Sequence, residues 1–331
     1  MSTLDEHRVL VEAAGAWGTD NLGQFEVTGL DAGALVNRIA TVDISRLPPG
    51  RFAHALLLRD DASILERVTV YRFPDRVMLL VGAVNRVAAW EHIVARKRGT
   101  VRLRDISTDV GQVAVRGPAT MSRLAIALAP MPSSAGDVVN ARLGDVDVFA
   151  ARATADGPDG VDLFCRERDR HKLLELMRSL GVLPVSDAAW SLLHMEWGVA
   201  HVGAGIDPGD TPIEADLEHL VAEGKGAPFP GEAALASRRH TGALKRLVGF
   251  RAAGSRRPPV DAVVRVGGHE ADRVRAVTWS PRAGVIGFTA VPTTVAAPGT
   301  MLSIEADGEM WQAEVAERPF VSREQPWGSE P

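Results

Sequence analysis

The segment from residue 64 to residue 73 carries the side chains with the clearest chemical potential. Its alternating pattern predicts a β-strand, in which successive side chains point to opposite faces. Arg67, Thr69 and Tyr71 then share one face, whereas Glu66 shares the other with two valines. Because valines favour packing, we expect the Arg67 face to line a cavity. Arg67 is either an anion-binding group or a solvated strand charge, and Tyr71 either lines the cavity or is a half-exposed aromatic.

Three further groups are candidates for catalysis. His194 and Glu196 lie near the end of a predicted helix, where a spacing of two residues directs them to different faces. They either share a catalytic role or pack at the helix end. Asp61 either caps a turn with its neighbour or reaches a cavity. Cys165 lies in a predicted strand, which favours a buried structural thiol over a nucleophile.

The common catalytic signatures are absent from the sequence. There is no phosphate-binding loop of the nucleotide-hydrolase type, and the glycines of residues 203–205 are too few for a dinucleotide site. No two histidines lie four residues apart on a predicted helix. One cysteine excludes a disulfide framework, a cysteine-rich zinc site and a cysteine-ligated iron–sulfur cluster within one chain. We therefore predict no metal site.

The composition is typical of a globular protein in a reducing compartment. The 331 residues have a mass of 35.3 kDa, 46 % hydrophobic residues and a formal charge of −5. This acidity argues against a nucleic-acid partner, which usually requires a basic face. The charged N-terminus predicts no signal peptide, and no stretch approaches the roughly 18 apolar residues of a membrane span. We expect a cytoplasmic protein without a membrane partner.

The elements that must position these residues alternate irregularly up to about residue 240. The predicted helices cover residues 32–40, 85–97, 118–128, 168–180 and 186–196. The predicted strands cover residues 52–59, 64–73, 77–81, 101–104, 112–115, 143–151 and 161–166. In the helix of residues 85–97, the inward stripe is predicted to include Val87 and Val94.

After residue 245, short strands alternate with tight turns at residues 267–268, 280–284 and 307–308. This pattern predicts a small antiparallel β-barrel. The sequence therefore predicts an α+β protein with a body of residues 1–240, a C-terminal β-barrel of residues 241–322 and a loose tail of residues 323–331.

Several stretches match one protein family in order and spacing. They are residues 25–32, 37–43, 58–71, 81–85, 193–198, 211–217, 229–235, 277–287 and 318–320. Over about residues 20–322, the chain resembles the aminomethyltransferase family. That family includes the glycine-cleavage T-protein, its dimethylglycine, sarcosine and dimethylsulfoniopropionate relatives, and the folate-binding iron–sulfur maintenance protein. The resemblance implies a three-lobed ring of two α+β subdomains and a β-barrel around a central cavity. Tetrahydrofolate would bind there and exchange a one-carbon unit with an amine or sulfur substrate.

The resemblance also shows a departure at the reacting centre. The family's central hairpin carries two adjacent carboxylates, the second of which lies at the reacting nitrogen, and here that pair is Glu66 and Arg67. Such an acid contributes typically about 10²–10⁴-fold to a rate. Inverting its charge is expected to abolish the reaction as the family usually runs it. Side-chain alternation keeps Glu66 from replacing the acid unless the strand contains a register shift or bulge.

Other pocket positions differ from the family as well. The first asparagine of its Asn-Ala-x-Asn stretch is Gly82 here, and the second is retained as Asn85. The glutamate that binds the pterin falls at Pro158, for which Asp159 could substitute only approximately. Unpaired pterin donors would cost about 1–3 kcal/mol or more, which weakens the expectation of folate binding.

Two family positions become histidines, at His194 beside the retained Glu196 and at His219. Residues 225–231 replace the cysteine motif of the iron–sulfur maintenance relatives. The catalytic candidates are Arg67, His194, Glu196 and Asp61. The cofactor-binding candidates are Tyr71, Asn85, Gly82, Asp159 and His219.

Three functions follow from this resemblance. The first is a tetrahydrofolate-dependent one-carbon transferase or demethylase with a diverged site, acting on a small-molecule donor. The second is a folate-independent enzyme that uses acid–base chemistry on the same scaffold. The third is a non-catalytic folate-binding regulator. The sequence does not indicate a carrier protein and leaves open whether one delivers the substrate.

Overall fold

The structure is a computed structural model that describes residues 1–19, 22–153, 159–322, 325 and 327. The helices are α1 (Thr3–Glu12), α2 (Ala32–Ile39), α3 (Arg86–Ala95), α4 (Thr120–Leu124), α5 (Arg170–Ser179), α6 (Asp187–Glu196) and α7 (Glu232–Thr241). The first fourteen strands are β1 (Gly15–Thr19), β2 (Gly23–Thr28), β3 (Arg51–Leu58), β4 (Ile64–Arg72), β5 (Val77–Val81), β6 (Arg102–Asp105), β7 (Val110–Arg116), β8 (Leu128–Ala129), β9 (Val138–Leu143), β10 (Val146–Arg152), β11 (Gly160–Arg166), β12 (Leu183–Pro184), β13 (His201–Val202) and β14 (Gly205–Ile206). The last seven are β15 (Lys245–Ala252), β16 (Val263–Val266), β17 (His269–Arg273), β18 (Ala276–Ser280), β19 (Gly284–Pro292), β20 (Met301–Ala306) and β21 (Glu309–Ala316).

The chain divides into two compact units. Unit 1 comprises Met1–Asp61, Leu65–Ala189 and Leu220–Glu232. Unit 2 comprises Ala62–Ile64, Trp190–His219 and Ala233–Pro331. Each unit is therefore discontinuous in sequence, and the division of the chain at residue 240 stays a prediction.

Unit 1 contains two mixed layers of sheet and helix. Its five-stranded sheet has the order β3-β4-β5-β2-β6, and its seven-stranded sheet has the order β12-β1-β7-β11-β10-β9-β8. The apolar face of each sheet packs into its own core, one with the stripe of α2 and the other with that of α5. A third cluster, the aromatic cluster of Phe52, Tyr71, Phe73, Phe149 and Phe164, contains side chains from both sheets.

Unit 2 is built on a curled antiparallel sheet of order β17-β16-β20-β21-β15-β19-β18. Its hairpin turns need left-handed backbone, which Gly267 (φ +57°), Gly268 (φ +84°) and Gly308 (φ +79°) adopt without a Cβ penalty. Phe250, Ile304 and Trp311 belong to its core. The predicted α+β class with a C-terminal antiparallel barrel-like sheet is confirmed.

Some local predictions were wrong. The helix of residues 118–128 ends at Leu124, because Leu128 and Ala129 pair with β9 instead. In α3, Ala89, His92 and Ile93 are buried, whereas Val87 is 70 % exposed. The inward stripe is therefore rotated relative to the prediction, and it includes a histidine that a purely apolar pattern does not select.

Candidate functional site

Strand β4 presents two faces that differ in environment. Val68 and Val70 are fully buried in the core beneath the five-stranded sheet, which confirms the packing face. Arg67 and Thr69, on the opposite face, are half-buried. The Nδ1 atom of His54 on the neighbouring strand β3 lies 3.1 Å from Oγ1 of Thr69. The alternation predicted from sequence therefore holds along this strand.

Glu66 lies at one end of the packing face, beside two of the positions singled out from the sequence. Its side chain is 6 % exposed, and its Oε1 atom accepts a hydrogen bond from the backbone N–H of Arg67 at 2.9 Å. The amide of Asn85, at the N-terminus of α3, donates to the Glu66 carboxylate and also to the carbonyl of Leu65 at 3.0 Å. A Cβ placed on Gly82 would lie 3.5 Å from each carboxylate oxygen. The fold thus brings Glu66, Gly82 and Asn85 together.

The environment of Glu66 favours its protonated form. Burial raises the pKa of this carboxyl above its ordinary value, and the hydrogen bonds from the Arg67 backbone and the Asn85 amide offset only part of that rise. A buried carboxyl with a raised pKa can hold a proton or accept one as conditions change. Glu66 was not predicted to have a functional role, although its position directly before Arg67 and the retained Asn85 were the available signals.

Tyr71 lies in the core. Its ring is 1 % exposed and packs against Phe52 at a centroid distance of 5.1 Å and against Phe164 at 5.3 Å. Burial raises the pKa of its hydroxyl well above the ordinary value. The alternative of a half-exposed aromatic was therefore wrong, because aromatic side chains from both sheets of unit 1 enclose the ring, and the lining of a cavity by Tyr71 stays a prediction. A contact between Tyr71 and a cofactor stays a prediction.

The acidic candidates Asp61 and Asp159 lie at the surface of unit 1. Asp61 is exposed in the turn before β4. Asp159 is exposed and accepts a hydrogen bond at 2.7 Å from Arg152, which leaves its carboxylate engaged with a cation. Pro158, which stands at the family's pterin-binding position, lies outside the described residues. The roles expected of Asp61 and Asp159 stay predictions.

In unit 2, His194 and Glu196 have separate partners. Glu196 is fully buried and forms an ion pair with Arg282 at 2.9 Å, and it also accepts from the hydroxyl of Ser280. His194 lies with its Nδ1 atom 2.9 Å from Nε2 of His201, and its ring is 3.8 Å from that of Trp190 between centroids.

These contacts give His194 and Glu196 different neighbours, and their shared catalytic role stays a prediction. His219, in a short 3₁₀ helix, is exposed. His201 was missed as a neighbour of His194, because it lies beyond the helix and only the fold brings it near.

The environments of Cys165 and Lys225 shift the pKa values of their side chains. Cys165 is 6 % exposed, and burial raises the pKa of its thiol to about 12, so it does not form a nucleophilic thiolate near neutral pH. Lys225 donates from Nζ to the carbonyl of Ala40, and the same Nζ lies 4.8 Å from the ring centroid of Phe229. Burial lowers the pKa of Lys225 to about 8.

Within the described ranges, no group of three or more His, Cys, Asp or Glu side chains could hold a metal ion. The described helices include none that is both long enough and apolar enough to span a bilayer.

The fold and the ordered motifs are those of T-protein-like one-carbon transferases. Residues 1–225 match the GCVT N-terminal domain, and residues 245–322 match the glycine cleavage T-protein C-terminal barrel domain. The chain belongs to the aminomethyltransferase, or glycine cleavage T-protein, family.

Individual relatives cover nearly the whole chain. An aminomethyltransferase of Anoxybacillus flavithermus is 30 % identical over 97 % of this chain and 91 % of its own length. An aminomethyltransferase of Geobacillus kaustophilus is 28 % identical over the same shares of the two chains. The crystal structure of the glycine cleavage system aminomethyltransferase T from Bartonella henselae has a TM-score of 0.88 and 25 % identity, and it covers 98 % of this chain and 90 % of that one.

Proposed function

We propose that this protein transfers a one-carbon unit between a small amine or sulfur donor and tetrahydrofolate. The observation that carries the proposal is the match of both family domains, in order, over residues 1–225 and 245–322. A scaffold alone does not fix a function, so the residues around β4 must also suit the cofactor.

The residues around β4 fit a folate in chemical terms. A reduced folate has a ring rich in N–H donors and a tail with carboxylates. Glu66 is a buried carboxyl with no ion pair among the described residues, and it can accept from such donors. Arg67, which follows Glu66 in sequence and points to the opposite face of β4, provides a guanidinium, which binds carboxylates in a fixed planar geometry. When bound, the folate would supply the nitrogen that takes up the carbon.

Arg67 also limits what the site can do. A guanidinium stays charged at any physiological pH, so Arg67 can hold an anion but cannot accept a proton from a reacting nitrogen. We propose that Arg67 positions the carboxylates of the folate tail or of the donor, and that it does not replace the acid of its relatives. The remaining proposed folate contacts are Tyr71, Gly82, Asn85, Asp159 and His219. The remaining proposed catalytic groups are Asp61, His194 and Glu196.

Titration of the purified chain with tetrahydrofolate under anaerobic conditions tests this proposal. We expect saturable heat and quenching of tryptophan fluorescence at sub-millimolar folate. Arg67→Ala should weaken binding, because it removes the cation for the tail carboxylates. Arg102→Ala is the matched control, since Arg102 is an exposed arginine on β6 of the same sheet. Arg67→Asp should restore the family's acid pair and raise turnover with a family donor.

Turnover is then measured with sarcosine, dimethylglycine, dimethylsulfoniopropionate and an aminomethyl-loaded lipoyl carrier protein, each with and without folate. Folate-dependent formation of methylene- or methyl-tetrahydrofolate supports the proposal. Turnover that needs no folate identifies a folate-independent enzyme instead. Tight folate binding without turnover from any of these donors identifies a folate-binding regulator. No folate binding at sub-millimolar concentration contradicts the cofactor assignment.

A further inference from the structure

Glu66 differs from the other buried carboxylates of the protein. The described residues contain five buried carboxylates: Asp43, Glu66, Glu196, Asp210 and Glu214. Four of them have an arginine within ion-pair distance, at 3.0 Å for Asp43, 2.9 Å for Glu196, 2.6 Å for Asp210 and 3.4 Å for Glu214. Glu66 has two neutral N–H donors instead. Burying a carboxyl without a cation is unfavourable, so the missing cation calls for an explanation.

Room for a small group adjoins the buried carboxyl of Glu66 at Gly82. Gly82 has no side chain, and its missing Cβ would stand at the same distance, 3.5 Å, from Oε1 and from Oε2. The two residues that follow, Ala83 and Val84, are exposed, and Val84 is 82 % exposed. Gly82 itself is half-buried, so the contact with Glu66 lies near exposed chain of unit 1. A ligand group that entered there would meet both oxygens at once.

The acceptor capacity of Glu66 is only partly used. A carboxylate offers about four lone-pair sites on two oxygens, and two side-by-side N–H groups can bind it in a bidentate manner. In Glu66 one site accepts from the Arg67 backbone and one from the Asn85 amide. The remaining sites can take a pair of N–H donors from outside the chain.

We propose that Glu66, approached over Gly82 and oriented by Asn85, recognises a ligand group that presents two N–H donors. The shared chemistry fits either the aminopyrimidine edge of a reduced folate or the secondary ammonium of an amine donor. This inference rests on the proposed function, because it assigns part of the same site. It gives the chain a carboxyl for nitrogen recognition although Pro158 stands at the family's pterin-binding position.

Ligand binding should be linked to a proton. Burial raises the pKa of Glu66 in the free protein, whereas two N–H donors stabilise the ionised form and lower the pKa. At a pH low enough for the free carboxyl to hold its proton, the donors displace that proton to the buffer as they bind. Calorimetry in two buffers with different ionisation enthalpies measures this release directly and does not depend on turnover.

Two variants test the recognition separately from folding. Glu66→Gln keeps the shape but replaces one acceptor oxygen by a donor. Gly82→Ala adds a methyl at ordinary contact distance from both oxygens, and the φ of Gly82 lies outside the left-handed region, so alanine fits the backbone. Gly33→Ala in α2 is the matched control, because its Cβ would meet only Ile44 at 3.7 Å. Thermal melting of each variant verifies that it folds.

The probes are tetrahydrofolate and sarcosine, titrated separately. We expect at least one of them to bind Glu66→Gln and Gly82→Ala about tenfold more weakly than it binds wild type. The proton release should be lost in Glu66→Gln. Binding to the control Gly33→Ala should be unchanged. Should Glu66→Gln fail to fold, Gly82→Ala alone decides the question.

The outcomes separate this inference from the proposed function. If tetrahydrofolate binds the wild type and both site variants equally, and sarcosine shows no dependence on them, the inference is overturned while the proposed function stands. If sarcosine binding depends on Glu66 and tetrahydrofolate does not bind at all, the inference is supported and the cofactor assignment fails. If neither probe binds the wild-type protein, both are overturned.

Discussion

Two buried glutamates, one in each unit, have carboxyl groups with different kinds of partner. In unit 2, Glu196 is fully buried and is neutralised by the guanidinium of Arg282 and the hydroxyl of Ser280. In unit 1, Glu66 is nearly as buried, but its partners are one backbone N–H and the amide of Asn85. One carboxyl completes an internal ion pair, and the other retains acceptor capacity.

This contrast separates a structural role from a functional one. A buried ion pair costs desolvation of both charges, which the mutual attraction and further hydrogen bonds must offset. Arg282 meets that condition by also donating to the carbonyls of Ser322 and Gln325. Among the residues that the structure describes, Glu66 has no such network and no cation, so its burial is unfavourable. Groups retained under such a cost are candidates for ligand contact, whereas Glu196 is a candidate for holding unit 2 together.

The largest expected effect is on the stability of unit 2. Glu196→Gln should lower the free energy of unfolding by about 3–5 kcal/mol, because the buried guanidinium of Arg282 loses its counter-charge. Glu66→Gln should change it by less than about 1 kcal/mol at neutral pH, since no cation is left unpaired. Urea denaturation followed by circular dichroism at pH 7 measures both changes.

The double variant Glu196→Gln with Arg282→Met serves as the control. It removes both charges and should recover part of the loss, as replacing a buried pair by apolar groups often does. Equal destabilisation by Glu196→Gln and Glu66→Gln would show that the two carboxyls have the same structural role, and the contrast would be lost.

A second expected effect concerns Tyr71, which lies on the same face of β4 as Arg67 and Thr69. Tyr71→Ala should cost about 3–5 kcal/mol of stability, because it leaves a cavity among Phe52, Phe149 and Phe164. Tyr71→Phe keeps the ring and should cost much less. Thermal unfolding of both variants checks the stabilities, and folate titration of Tyr71→Phe checks the proposed contact. An unchanged folate affinity in Tyr71→Phe would limit Tyr71 to packing and leave Glu66 as the better ligand candidate.

Much of the fold could be predicted from the sequence. The alternation of β4 correctly assigned Val68 and Val70 to the core, and the glycine turns of residues 267–268 and 307–308 correctly predicted the hairpins of unit 2. The stripe of α3 could not be predicted in the same way. Ala89 and His92 are buried there while Val87 is exposed, so the buried face is not the one with the most apolar side chains.

The site was harder to predict than the fold. Spacing along one strand places Glu66 and Arg67 on opposite faces, but it does not show that Gly82 and Asn85, from the end of another strand and the start of a helix, meet Glu66. The pairing of Glu196 with Arg282 is likewise non-local, because the partners are 86 positions apart in sequence. Family motifs mark such positions, but only the fold shows which of them have a cation nearby.

The smallest expected effect is a pH dependence that distinguishes Glu66 from a paired carboxyl. The pKa of Glu66 is raised above its ordinary value of 4.5 by burial, so the folded state binds this proton more tightly than the unfolded chain does. The stabilisation by the protonated form is fully present below pH 4.5 and is lost as the pH rises through the raised pKa. Each unit by which the pKa is raised corresponds to about 1.4 kcal/mol of that loss.

Wild type should therefore lose stability relative to Glu66→Gln as the pH rises from 4 towards 8, which urea titrations at a series of pH values measure. Saturating concentrations of the ligand that Glu66 recognises should flatten this difference, because its N–H donors stabilise the ionised carboxylate. Glu196→Gln should show the opposite sign at neutral pH. There wild type is more stable than the variant, because the Glu196 carboxylate stabilises unit 2 through Arg282. The quantity to plot is the free energy of unfolding of wild type minus that of Glu66→Gln. If it falls with pH only in the absence of ligand, the buried carboxyl of Glu66 is the group that the ligand contacts. If it is flat in both conditions, the raised pKa on which the comparison depends is contradicted.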